Sequence, residues 1–297
     1  MQQDINLDIK QRIAKFRYAF FANRFSSEGY DLNPDVEGQT VNPFENYTLN
    51  GRVFYDFNDN LSLFSSLRFY DQTQEAGFAF EDTVFEGDTE EKEWNAHLRL
   101  DHRWSDNLDM DYELYYTNYK ANERLASPIS GEVLSDSDFD QKLVRPEIRG
   151  NYTFSKAGTL TAGFGFQYDE LDRTFFDDKV SFNSQYVYAQ YDVNLVEKLN
   201  IILGGRFDNH SEYSNQFSPK LAIRFKLTDN IALKGSVGYG FKAPDFRQLY
   251  FDFTNSAVGY TVLGYNVAID KLDELQTQGQ ILDCLLYTSD AADEEDS

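Results

Sequence analysis

Arginine, aspartate and glutamate recur at alternate positions along this 297-residue chain. Arg52, Arg99, Arg103, Arg145, Glu147, Arg149, Asp169, Arg206, Asp208 and Arg224 all fall on the polar side of runs that alternate with period two. Guanidinium and carboxylate groups arranged in this way can pair with one another or attract anions. They do not amount to bond-making machinery. No Ser/His/Asp arrangement or strained nucleophile turn is present, so no residue is assigned as catalytic. His97 and His102 are five residues apart on one predicted strand and so point to opposite faces, while His210 ends another strand. Asp136, Asp138 and Asp140 loosely resemble a calcium loop but lack its glycine and distal glutamate. No metal and no cofactor are expected. Gly163-Phe164-Gly165 and Gly238-Tyr239-Gly240 fall within strands, where small residues ease curvature or close approach.

The elements that hold these residues follow from composition and pattern. Fifty acids against 27 Lys and Arg give a net charge of −23, the wrong sign for a nucleic-acid partner. With 26 Phe and 20 Tyr the chain has too many surfaces needing burial to be disordered. It contains no run of about 18 apolar residues, so no transmembrane helix is expected. A spanning strand needs only about 9–11 residues of alternating pattern, which leaves a membrane open.

That alternation is the main signal. Tyr47, Leu49, Gly51, Val53, Tyr55 and Phe57 face one way, with Thr48, Asn50, Arg52 and Asp56 among the residues between. The same holds for Trp94–Leu100, Leu108–Tyr116, Leu160–Tyr168 and Phe217–Phe225. Similar segments lie near 16–25, 61–70, 141–154, 185–195, 199–209 and 231–241, and a weaker one (Ile5, Leu7, Ile9) opens the chain. About a dozen antiparallel strands are predicted, and no helix. Tight polar turns at 58–60, 105–107, 155–158, 196–198 and 228–230 alternate with connections near 26–46, 72–91, 120–139, 174–184 and 210–216. Sorting short turns to one rim and long loops to the other is the asymmetry of an outer-membrane barrel, with short periplasmic turns and long extracellular loops.

The face chemistry agrees. Tyr47, Phe57, Phe69, Trp94, Trp104, Tyr116, Phe154 and Tyr168 stand near strand ends, as interfacial girdles require. The opposite face carries too many ionisable groups for a dry sandwich interior, and suits a wet lumen. The segment 75–93 mixes Phe78, Phe80 and Phe85 with carboxylates, and two readings are open. It is a solvated loop whose aromatics pack locally, or it touches an external ligand or lipopolysaccharide through divalent ions.

Residues 217–250 carry a specific resemblance. Ser218-Pro219-Lys220, Gly240-Phe241-Lys242-Ala243-Pro244 and Gln248-Leu249-Tyr250 resemble a barrel hairpin of TonB-dependent outer-membrane receptors, in texture closest to those of the Bacteroidetes type. Lys242 and Gln248 stand where the family more usually has Arg and Glu. Asp273–Gly279 resembles the acidic start of the family's next strand. The resemblance implies an all-β, antiparallel transmembrane β-barrel, of which 1–280 supplies about 11–12 of about 22 strands. It also implies energy-dependent import of a scarce, large ligand: a siderophore–iron complex, cobalamin or a glycan. Implied partners are outer-membrane lipid and lipopolysaccharide, the ligand, and a TonB-type coupling complex acting through a plug. The lumen arginines Arg99, Arg103, Arg145, Arg149 and Arg206 would then pair with plug and wall carboxylates or attract an anionic ligand, with pairing favoured.

No leader peptide, plug, coupling box or terminal aromatic strand is recognisable, so the chain reads as an internal barrel fragment. Residues 281–297, with the sole cysteine Cys284, resemble a translated sequencing-adapter tail and are set apart from the fold. Two other classes stay open at this stage. They are a passive porin-like or adhesin barrel, and a soluble carbohydrate-binding β-sandwich.

Overall fold

The computed structural model describes residues 1–33, 39–80, 83–154, 158–255 and 260–279. The tail from 281 therefore lies outside the described residues. The chain divides into two units, Met1–Arg173 with Ser181–Phe241, and Thr174–Val180 with Lys242–Ser297.

The first unit is one antiparallel sheet of twelve strands in strict sequence order. The strands are β1 (Gln2–Ile13), β2 (Phe16–Ser27), β3 (Phe44–Asn58), β4 (Leu61–Phe80), β5 (Thr83–Ser105) and β6 (Leu108–Ala126). They continue with β7 (Val133–Phe154), β8 (Gly158–Arg173), β9 (Val180–Val196), β10 (Leu199–His210), β11 (Gln216–Lys226) and β12 (Ala232–Gly238). The two outer strands, β1 and β12, are not paired with each other, so the sheet does not close on itself.

Register carries the alternation unbroken from strand to strand. Phe64, Arg99, Glu113 and Glu147 are successive partners on one face of β4 to β7, and Ser65, Leu98, Leu114 and Pro146 lie on the other. The apolar face has no second layer. Leu98, Leu114, Ile148, Phe164, Val187, Leu203 and Val237 are all exposed, Val237 at 69 %. A sandwich would bury this face, and its exposure excludes that architecture. Among the described residues no helix is long and apolar enough to cross a membrane, so any crossing is made by strands.

The height of the greasy band can be read from the tryptophans. Trp94 and Trp104 on β5, like Tyr47 and Phe57 on β3, are ten positions apart on outward-facing strand positions. At about 3.3 Å per residue and a tilt of 35–45° this is about 25 Å, the height of a lipid-facing barrel belt. Beyond Trp94 the same face of β5 changes abruptly to Lys92, Glu90, Asp88 and Glu86.

Three expectations need correction. First, 72–91 and 120–139 are mostly strand. β4 and β5 stay in register from Leu61↔His102 to Phe80↔Thr83, and only 127–132 separates β6 from β7. Cross-strand pairing continues in water because Glu and Lys side chains there are solvated while the backbone ladder persists. The rim asymmetry therefore lies in strand overhang as much as in loop length. Second, the described residues include two helices, both in the second unit: α1 (Phe246–Tyr250) and α2 (Tyr265–Thr277). Third, Asp273–Thr277 therefore ends a helix and does not begin a strand.

The second unit also holds the hairpin β13 (Asp252–Asn255) and β14 (Tyr260–Leu263). Its core is aromatic. Phe246 and Leu249 are buried, and Phe175 packs on Phe251 and Phe253 with ring centroids 5.8 and 5.1 Å apart. Lys271 reaches Asp252 at 3.2 Å and Glu274 at 3.3 Å, hydrogen bonds that hold its ammonium pKa above the ordinary lysine value.

Candidate functional site: the polar face of the sheet

The residues that could do chemistry converge on one face of the first unit, centred on Glu147 in β7. Tyr186 and Tyr188 of β9 both donate hydroxyl hydrogen bonds to its carboxylate, at 2.5 and 2.7 Å. Those rings lie across β8 over Gly165 and Gly163, where a methyl group would overlap the ring of Tyr186 or Tyr188. Glycine is required here for the close approach of a neighbouring ring, one of the two roles anticipated for this pair.

Arg149 is shared among three acids, Asp111 at 3.0 Å, Glu113 at 3.3 Å and Glu147 at 3.9 Å. Arg206 of β10 binds Asp208 at 2.7 Å and stacks its guanidinium over the Tyr186 ring at 3.9 Å. Arg99 pairs with Asp101 at 2.9 Å and Arg103 with Asp109 at 3.6 Å. Arg145 differs. It lies over the Tyr115 ring at 5.5 Å, and among the described residues no carboxylate comes within 4 Å of it. The structure thus places all five sequence-selected arginines on one face, four of them already paired with wall carboxylates. Tyr186 and Tyr188 were missed by sequence reasoning. Their signal, two tyrosines at i and i+2 facing a Gly-x-Gly on the preceding strand, was present.

A groove of about 400 Å³ opens beside this network, lined by Glu147, Tyr188, Gln190, Arg206, Ser218 and Lys220. Ser218 and Lys220, from the resemblance motif, therefore share the polar face with Arg206, and Pro219 lies opposite Gly205 on the other. The arrangement is a hydrated, charge-paired wall with room for a polar guest, and it holds no activated nucleophile. Among the described residues no group of three His, Cys, Asp or Glu could hold a metal.

The remaining motif residues fall in the second unit. Lys242, Ala243 and Pro244 lead into α1, whose N-cap Asp245 accepts from the Gln248 backbone at 2.8 Å. The Gln248 side chain accepts from the Asp245 backbone at 3.0 Å, closing a capping box. Either Gln or Glu can accept there, which accounts for the tolerated departure at this position. Leu249 is buried, and Tyr250 packs against Phe176. Of the loop aromatics, Phe85 is buried at 3 % exposure within β5, and its backbone pairs with that of Phe78 in β4, the strand that Phe80 ends. The side chains of Phe78 and Phe80 lie outside the described residues.

Comparisons with known proteins bear on this wall. Residues 15–272 match the family model described as TonB dependent receptor-like, beta-barrel. The vitamin B12 transporter BtuB of Vibrio vulnificus is 22 % identical over 276 residues, covering 86 % of this chain and 41 % of that protein. A probable TonB-dependent siderophore receptor, PirA of Acinetobacter baumannii, is 32 % identical over 87 residues, or 29 % of this chain and 11 % of that protein. The crystal structure of the siderophore receptor PirA from Acinetobacter baumannii superposes with a TM-score of 0.65 at 16 % identity, covering 89 % of this chain and 45 % of that one. The FrpB iron transporter of Neisseria meningitidis superposes with a TM-score of 0.66 at 11 % identity, with 82 % and 44 % covered. The chain thus spans less than half the length of these relatives.

Proposed function

We propose that this chain, which belongs to the TonB-dependent receptor β-barrel family, forms part of the wall of an outer-membrane receptor that imports a scarce, large ligand. The observation that carries the reading is the sorting of side chains by face. An exposed apolar face bounded by aromatics meets lipid, and a charge-paired polar face meets water in a lumen. The backbone groups of such strands are satisfied only within a closed barrel, so further strands complete the ring.

In this reading the ligand is a siderophore–iron complex or cobalamin, the classes that the relatives' names carry, with glycans as a third class. The extended β4–β5 and β6–β7 ribbons, with Phe78, Phe80 and Phe85, stand at the outer rim where a ligand arrives. Lipid and lipopolysaccharide meet the outward face. A TonB-type complex supplies energy through a plug seated in the lumen. Arg99, Arg103, Arg149 and Arg206 stiffen the wall by pairing within it, which leaves Arg145 to face the plug or an anionic guest. No catalytic role is proposed.

Uptake assays test this reading. Cells making the protein should accumulate radiolabelled ferric siderophore or cobalamin, and a protonophore should abolish the accumulation. Accumulation that survives the protonophore would assign a passive pore instead.

A further inference from the structure

His210 closes β10 just beyond the greasy band, where the outward pair Phe207↔Val187 gives way to Asn209↔Gln185. The tight turn at 197–198 precedes β10, so the 211–215 connection that follows it stands at the opposite, outer rim. That connection folds back on the histidine. The Glu212 backbone N–H donates to His210 Nδ1 at 3.1 Å, and the Tyr213 ring lies on the imidazole with centroids 3.8 Å and planes 14° apart. Phe182, a buried residue of β9, meets the imidazole edge-on at 5.0 Å, and Phe241 packs against Tyr213 at 5.5 Å. The Ser211 N–H donates to the Asn183 carbonyl at 2.9 Å, and the Asn183 N–H donates to the Ser211 hydroxyl at 3.1 Å. The connection thus hangs on a ring nitrogen that accepts a hydrogen bond only while the imidazole is neutral.

We propose that neutral His210 latches the 211–215 connection to the outer end of β10, and that protonation in mild acid frees it. A protonated Nδ1 turns its own hydrogen towards the Glu212 N–H, so the bond is lost and two donors face each other. Three groups favour the imidazolium. Glu212 follows in the connection, Asp208 lies two residues back on the same face, and the Tyr213 ring face attracts a cation. Asp208 is already bound to Arg206 at 2.7 Å. Tyr213 stays neutral, because burial raises its hydroxyl pKa. On β9 the partner of His210 is Ser184, and β11 begins at Gln216 opposite Asp208, neither of them charged. Burial outweighs the Glu212 charge and holds the imidazole pKa below the ordinary histidine value. A histidine depressed in this way keeps its contacts fully above the unfolded value of about 6.5 and loses them as pH falls through the folded one. The latch works whichever ligand the protein imports.

Hydrogen exchange on the protein in isolated outer membranes, read by mass spectrometry from about pH 7.5 to about pH 5, tests it. With intrinsic rates divided out, exchange at 211–213 should rise by up to about tenfold for each pH unit below the folded histidine pKa. Residues 201–205 of β10 should not respond. In His210→Asn a side-chain oxygen replaces Nδ1 and does not titrate, so the connection should stay protected throughout. Slow deuterium uptake at the His210 ring carbon between the two nitrogens, measured on the unaltered protein, gives the imidazole pKa, expected below about 6.5. No pH response at 211–213, an equal response in His210→Asn, or an imidazole pKa at or above the ordinary value would each overturn the proposal. Should the variant lose protection at every pH, the opening midpoint of the unaltered protein must coincide with its imidazole pKa, and a mismatch overturns the latch.

Discussion

Glu147 shows how much one carboxylate can organise when its neighbours are shaped around it. Two tyrosine hydroxyls, Arg149 and a pair of ring-accommodating glycines all depend on its position. Gly165→Ala should therefore displace Tyr186 and cost about 1–3 kcal/mol, the range for forcing atoms into a filled site. Urea titration of the protein in lipid vesicles checks this, and in a Tyr186→Ala background, where the ring is gone, the same glycine change should cost little. Ala14, in the tight turn between β1 and β2, holds a left-handed φ of 50°. An L-residue pays about 1–2 kcal/mol for that conformation, so Ala14→Gly should stabilise the protein by up to about 1 kcal/mol in the same titration. The ionisable residues of the wall were legible in the sequence because period two assigns a face without ambiguity. Their partners were not. Whether Arg149 meets Asp111 or Arg206 meets Asp208 depends on register and rotamer, and alternation fixes neither.

At the scale of elements, strand identity could be read from sequence wherever apolar and polar residues alternate. It failed where both faces turn polar. The 72–91 segment looked like a loop because its outward residues are Glu, Asp and Lys, yet the ladder from Glu75↔Asp88 to Gln72↔Glu91 persists. The helices were missed for a related reason. α1 is five residues held by its capping box, and α2 follows the N-cap Gly264, which offers no side-chain cap, and has no buried residue. Such short or weakly amphipathic segments leave little periodic trace. The outer overhang makes a pH prediction. Burial pushes the Asp140 carboxyl up, but hydrogen bonds from Lys120 and Asn118 outweigh this and hold it below the ordinary aspartate range. A depressed folded pKa stabilises above the unfolded value and is lost as pH falls through the folded one. Amide-exchange protection across Lys120↔Asp140 should thus hold down to about pH 4 and decline below it, and Asp140→Asn should flatten that decline. Rim asymmetry is separately testable in whole cells. A cysteine at Ser130, between β6 and β7, should react with an impermeant maleimide added outside, and one at Asn107, in the β5–β6 turn, should not.

For the whole molecule, the account depends on two surfaces of one sheet meeting different solvents. An apolar face exposed across twelve strands would aggregate in water, and a face carrying Arg99, Glu113, Glu147, Arg149 and Arg206 would be costly in hydrocarbon. Only a lipid exterior around a wet interior satisfies both. Spin labels at neighbouring positions on three strands test this most directly in vesicles: Leu98 and Arg99, Leu114 and Glu113, Leu203 and Gly204. The account predicts that labels at 98, 114 and 203 collide with dissolved oxygen and those at 99, 113 and 204 with a water-soluble nickel chelate. Equal accessibility within each pair, or the reverse assignment, would contradict it.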